Sequence, residues 1–121
     1  MGKRWGRGKP SITLRRASGE IVCNRCVVAD SSFTRMRGLL GKRGLDRGEG
    51  ILLQPAGSIH TMFMRFTIDV VFLDGENRVL SIEPDLKPWR SARARGSKAV
   101  LELPAGRAAD VGLRVGDHLV S

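Results

Sequence analysis

The chain has 121 residues, 41% of them hydrophobic and 27% charged, a composition that fits one small globular domain and excludes wholesale disorder and coiled coil. It is too short for two separate cores, no run approaches the roughly 18 apolar residues of a membrane helix, and two cysteines make no disulfide framework. Lys and Arg outnumber Asp and Glu by 21 to 12, for a net charge of +9. The excess sits in residues 1–19 (Lys3, Arg4, Arg7, Lys9, Arg15, Arg16) and in residues 87–98 (Lys87, Arg90, Arg93, Arg95, Lys98), neither of which contains an acid.

Residues 1–10 read as a flexible basic tail, and with no apolar stretch behind them as a secretion signal would need, a cytoplasmic protein is expected. Residues 11–121 form the single domain. The alternating run 11–16 and the β-branched run 20–28, separated by Ala17-Ser18-Gly19, predict a hairpin. Asp30, Ser31 and Ser32 are good caps for a short helix over 32–40, whose Phe33, Met36, Leu39 and Leu40 share one face and which Gly41 ends. A short buried strand at 51–53 stops before Pro55, and residues 58–66 alternate. Residues 67–73 give the strongest strand signal, turning at Asp74-Gly75-Glu76-Asn77 into an antiparallel partner at 78–83. A basic loop (84–97), a strand (98–103), a short helical turn near 105–111 and a final turn and strand (112–120) complete the chain. About seven strands at hairpin spacing with one or two short helices predict an α+β, β-rich domain, mostly antiparallel, forming a barrel or a partly open barrel.

Four blocks stand in an order that resembles a known family: Arg35-Met36-Arg37-Gly38-Leu39-Leu40-Gly41, His60-Thr61-Met62-Phe63-Met64, Ile68-Asp69-Val70-Val71-Phe72-Leu73-Asp74, and Val100-Leu101-Glu102-Leu103-Pro104-Ala105-Gly106, with Gly112-Leu113 and Gly116-Asp117 near the end. They are similar to the domain-of-unknown-function family 192 over residues 20–120. The resemblance implies a compact β-rich domain with a helix, and it implies no activity. Many members of that family carry a signal peptide or lipid anchor, which this sequence does not suggest.

Asp69 is the most informative polar position, because an ionised carboxylate inside an apolar strand costs several kcal/mol unless something answers it. Arg37, Arg65 and His60 are the candidate partners. One reading is a structural lock. The functional reading is a polar pocket for a small molecule or peptide, lined by Arg37, His60, Thr61 and Asp69, with Trp89 as a plug or as an exposed anchor at its rim. Cys23-x-x-Cys26 and His60 are weak metal candidates. On a regular strand, residues three apart face opposite sides, so joint ligation by the two cysteines would need a bulge or turn between them. His60, Met62 and Met64 would share a face and offer soft ligands, but Met more often fills core. The sequence therefore favours a non-enzymatic binding or accessory domain, monomeric and without cofactor, metal or membrane contact. The alternative is a weak nucleic-acid binder using the tail and Lys87, Arg90, Arg93, Arg95 and Lys98. A metal-dependent or hydrolytic enzyme ranks last, since no nucleophile elbow accompanies the serines.

Overall fold

The structure, a computed structural model, describes residues 10–30, 44–62 and 64–121. The helix expected over 32–40, Arg37 and most of the basic tail lie outside these residues. The described elements run β1 (Ser11–Arg16), β2 (Ile21–Ala29), β3 (Glu49–Leu53), β4 (Ser58–His60), β5 (Ile68–Leu73), β6 (Val79–Leu86), β7 (Ser91–Arg93), β8 (Ala99–Pro104), α1 (Arg107–Asp110) and β9 (Leu119–Val120). Seven strands form one sheet in the order β6-β5-β8-β3-β2-β1-β9, and β4 pairs with β7 in a separate ribbon. Among these pairings only β2 with β3 is parallel.

The large sheet curls into a half-barrel. The C-terminal segment reaches both of its edges. β9 pairs with β1, while His118 bridges Arg78 and the Val79 amide donates to the Asp117 carbonyl at 2.8 Å. Both faces of the sheet are covered, so every residue of β3, β5 and β8 is buried. That is why residues 67–73 read as a continuous apolar run rather than an alternating one. On the first face Leu52, Val71, Leu101 and Leu103 pack with Ala108 of α1 and with Val111. On the second face Ile51, Val70, Phe72 and Val100 pack beneath Ile59 of the ribbon and Met64.

Two ladders of the large sheet each carry two register shifts, and one bulge in each bears on the site. Between β1 and β2, Ile12 faces Cys26 and Leu14 faces Cys23, so three steps along β2 match two along β1. Between β5 and β6, Ile68 faces Leu86 and Val70 faces Glu83, again three steps against two. Asp85 lies in this second bulge with a left-handed φ of 53°.

The β-rich barrel expectation is met, with differences of detail. The second bulge carries β6 through Pro84 to Leu86, although a proline normally ends a paired strand. The expected 84–97 loop contains β7, whose three residues carry no visible alternation. The alternating 58–66 stretch pairs only over Ser58–His60. Beyond it the Thr61 amide and carbonyl turn to Arg90 and Trp89. The 74–77 turn forms as expected. Asp74 accepts the Arg78 and Glu76 amides at 3.0 and 2.8 Å, and these bonds hold its carboxyl below the ordinary value.

Candidate binding surface

Asp69 is 1% exposed, and its register partner Leu103 places it on the first face with Val71 and Leu73. Its Oδ1 accepts the Asp85 amide at 3.0 Å, and its Oδ2 accepts the Ala108 amide at 2.9 Å. The first of these amides lies in the β5–β6 bulge. The second is in the opening turn of α1, where backbone donors lack intrahelical partners and an anion is welcome. Among the described residues Asp69 is thus answered by two amides and not by the expected Arg65 or His60, while Arg37 lies outside them. It ties a bulged strand to the helix that covers the barrel.

Thr61 is fully buried. Its hydroxyl donates to the Lys87 carbonyl at 2.6 Å and accepts the Arg90 amide at 2.8 Å. Its own amide donates to the Arg90 carbonyl at 2.7 Å, and its carbonyl accepts the Trp89 amide at 3.0 Å. One side chain thereby staples residues 87–90 to the end of β4. The staple holds Trp89 at a φ of 66° with 56% of its surface exposed, as a surface residue rather than a plug.

The ribbon sets the polar surface. Ser58 pairs with Arg93, Ile59 with Ala92, and His60 with Ser91. Ile59 points into the second cluster, so by strand alternation Ser58 and His60 point outward, opposite Arg93 and Ser91. All four are exposed and border an open concavity. Lys87, Arg90 and Arg95 are exposed on the adjoining segments. Lys98 stands apart. Its amide bonds Leu73, and its stem passes the Gly75 turn.

The structure therefore brings His60, Thr61, Trp89, Arg90 and Arg93 together and leaves Asp69 on another face. His60 and Met62 are exposed while Met64 is buried, so these three do not converge as a soft-metal set. Ser91 was missed, and Ser58 was considered only as a hydrolytic nucleophile, because nothing local in the sequence reveals that β4 pairs with β7. Two buried carboxylates also went unmarked. Glu102 (0% exposed) and Glu49 (6%) lie on the second face, with Glu102 opposite Ile51. Glu102 carries the same signal as Asp69, an acid inside an apolar run.

Cys23 and Cys26 are both buried with free thiols. The bulge leaves Asn24 and Arg25 exposed and turns both sulfurs inward. The Cys23 thiol lies 3.5 Å from the Gly48 carbonyl. The hydrogen bond between the two side chains holds Cys23 below the usual thiol range, with help from the backbone at Arg25 and the charges of Arg107 and Arg25. The same bond, together with burial, pushes Cys26 up.

A β-rich half-barrel with a covering helix, no helix long and apolar enough to cross a membrane among the described residues, and the four sequence blocks together define the class of protein. The chain belongs to the DUF192 family, described as "Uncharacterized ACR", whose model matches residues 13–121. It is similar to a UPF0127 protein of Thermococcus sibiricus, 29% identical over 89% of this chain and 73% of that one. A UPF0127 protein of Pyrococcus horikoshii is 36% identical over 76% of this chain and 83% of the relative. Two crystal structures share the fold. A protein of unknown function from Novosphingobium aromaticivorans superposes with a TM-score of 0.76 at 22% identity, covering 100% of both chains. A putative transcription regulator from Sinorhizobium meliloti superposes with a TM-score of 0.81 at 21% identity, covering 98% of this chain and 97% of the other.

Proposed function

We propose that the protein is a non-enzymatic binding domain that takes a small molecule or peptide end bearing an anionic group on the outward face of the β4–β7 ribbon. The observation that supports this reading is the register of that ribbon, which sets Ser58 beside Arg93 and His60 beside Ser91 around one open concavity. A guanidinium fork, an imidazole and two hydroxyls are the donors that a carboxylate or phosphate takes. Trp89 and Arg90, fixed by Thr61, stand beside them as an apolar and a cationic rim. A hydrolytic reading fits less well. Asp69, the acid that would orient His60, has both oxygens engaged by backbone amides on the other face.

The test is an amide NMR titration with inorganic phosphate, small phosphorylated and carboxylated metabolites, and short peptides. Shifts are expected to centre on His60, Ser91, Arg93 and Trp89 and to vanish in Arg93→Ala. Shifts scattered over the barrel, or unchanged in that variant, would refute the assignment. A second reading, weak single-stranded nucleic-acid binding, is favoured by the exposed Trp89 beside exposed Lys87, Arg90 and Arg93. It requires affinity for an oligonucleotide that falls steeply between low and physiological salt.

A further inference from the structure

We propose that Cys23 and Cys26 form a two-coordinate site for a soft monovalent cation, Cu(I), within β2. The inference rests on the bulge. A regular strand would send these residues to opposite faces, whereas here three steps along β2 match two along β1, and both side chains enter the same cluster. Gly50 faces Cys26 across the β2–β3 pair and, having no side chain, lets the other sulfur pack close against β3. A Cβ at Gly50 would stand 2.8 Å from the Cys23 Sγ.

The donor set selects the metal. Structural zinc takes four ligands, and no group of three or more His, Cys, Asp or Glu converges among the described residues. His60 lies on the ribbon over the other face. Two thiolates alone suit a closed-shell soft ion that accepts linear coordination, and thiolates favour Cu(I) among biological metals. On binding, each thiol gives up one proton to solvent and two S–Cu bonds form, so a bis-thiolate complex with a charge of −1 replaces a neutral pair. The guanidinium of Arg107, which donates to the Val22 and Ile21 carbonyls at 3.0 Å, and that of Arg25 supply compensating charge. Both thiols are 0% exposed, so loading requires local opening at the bulge, where Asn24 and Arg25 are exposed.

The experiment uses the full chain, fully reduced and without oxygen, against Cu(I) held by the chromophoric chelator bicinchoninate. The folded protein is expected to withdraw one Cu(I) per chain. Amide shifts should centre on Asn24–Cys26 and Gly48–Gly50, and Zn(II) should produce none. Cys23→Ser and Cys26→Ser should each abolish the withdrawal, while His60→Ala should leave it unchanged. A folded wild-type protein that leaves all copper with the chelator overturns the proposal, and this arm depends on no variant. Copper withdrawn with shifts at His60 and Met62, or lost in His60→Ala, overturns it as well by placing the metal elsewhere.

Discussion

Asp69 and His60 are nine residues apart, and both look like polar intrusions in a β-rich stretch, yet they belong to two different regions. Around Asp69 the sheet is covered on both sides, solvent is excluded, and each carboxylate oxygen is consumed by a backbone amide. Around His60 a two-stranded ribbon lays its apolar residue, Ile59, on the core and turns its polar residues to solvent. A buried polar group must be answered from within the protein, whereas an exposed one can exchange water for a partner. The barrel region thus uses polarity to fix geometry, and the ribbon region keeps polarity at the surface.

The contrast fails if the buried acid can be removed cheaply. Asp69→Ala deletes two charge-assisted hydrogen bonds and strands two amides, and it should cost about 3–5 kcal/mol in urea unfolding. A loss under about 1 kcal/mol would mean that water or a neighbour replaces the carboxylate. Gly50→Ala ranks next. Its added methyl would meet the Glu102 carbonyl oxygen at 2.9 Å and the Cys23 sulfur at 2.8 Å. Overpacking of this kind costs about 1–3 kcal/mol. That exceeds the roughly 0.4–1 kcal/mol that Gly→Ala returns by restricting the unfolded chain, so thermal unfolding should come at a lower temperature.

The sequence was most legible where local chemistry and tertiary context agree. The 74–77 turn, the apolar run at 67–73 and the 11–16 hairpin partner each carry their own signal, and each formed. Asp69 was readable as an acid needing an answer. The answer was not readable, because a backbone amide freed by a bulge 16 residues away leaves no trace in residue types. The ribbon was hidden for a related reason. Ser58–His60 and Ser91–Arg93 are three-residue strands far apart in the chain, and only their pairing gives them meaning. The cysteine pair turned on the same point, since the side each sulfur faces depends on one extra residue in β2.

Thr61 is a buried polar group that holds the ribbon region in shape, and it sharpens the comparison. Thr61→Val keeps the shape but removes the hydroxyl that bridges Lys87 and Arg90, at a cost of about 1–3 kcal/mol. Hydrogen exchange should quicken at the Arg90 and Trp89 amides, while amides in β5 and β8 change only with global stability. An equal acceleration everywhere would place Thr61 with the barrel core instead.

The smallest effect on stability belongs to the ribbon surface. His60→Ala and Arg93→Ala remove exposed side chains and should shift unfolding free energy by no more than about 0.5 kcal/mol, while ligand-induced shifts at Ser91 and Trp89 disappear. If either change instead destabilised the fold by more than about 2 kcal/mol, the residue would be answering a demand of the core, as Asp69 does. The ribbon's polarity would then be committed to folding and closed to a ligand.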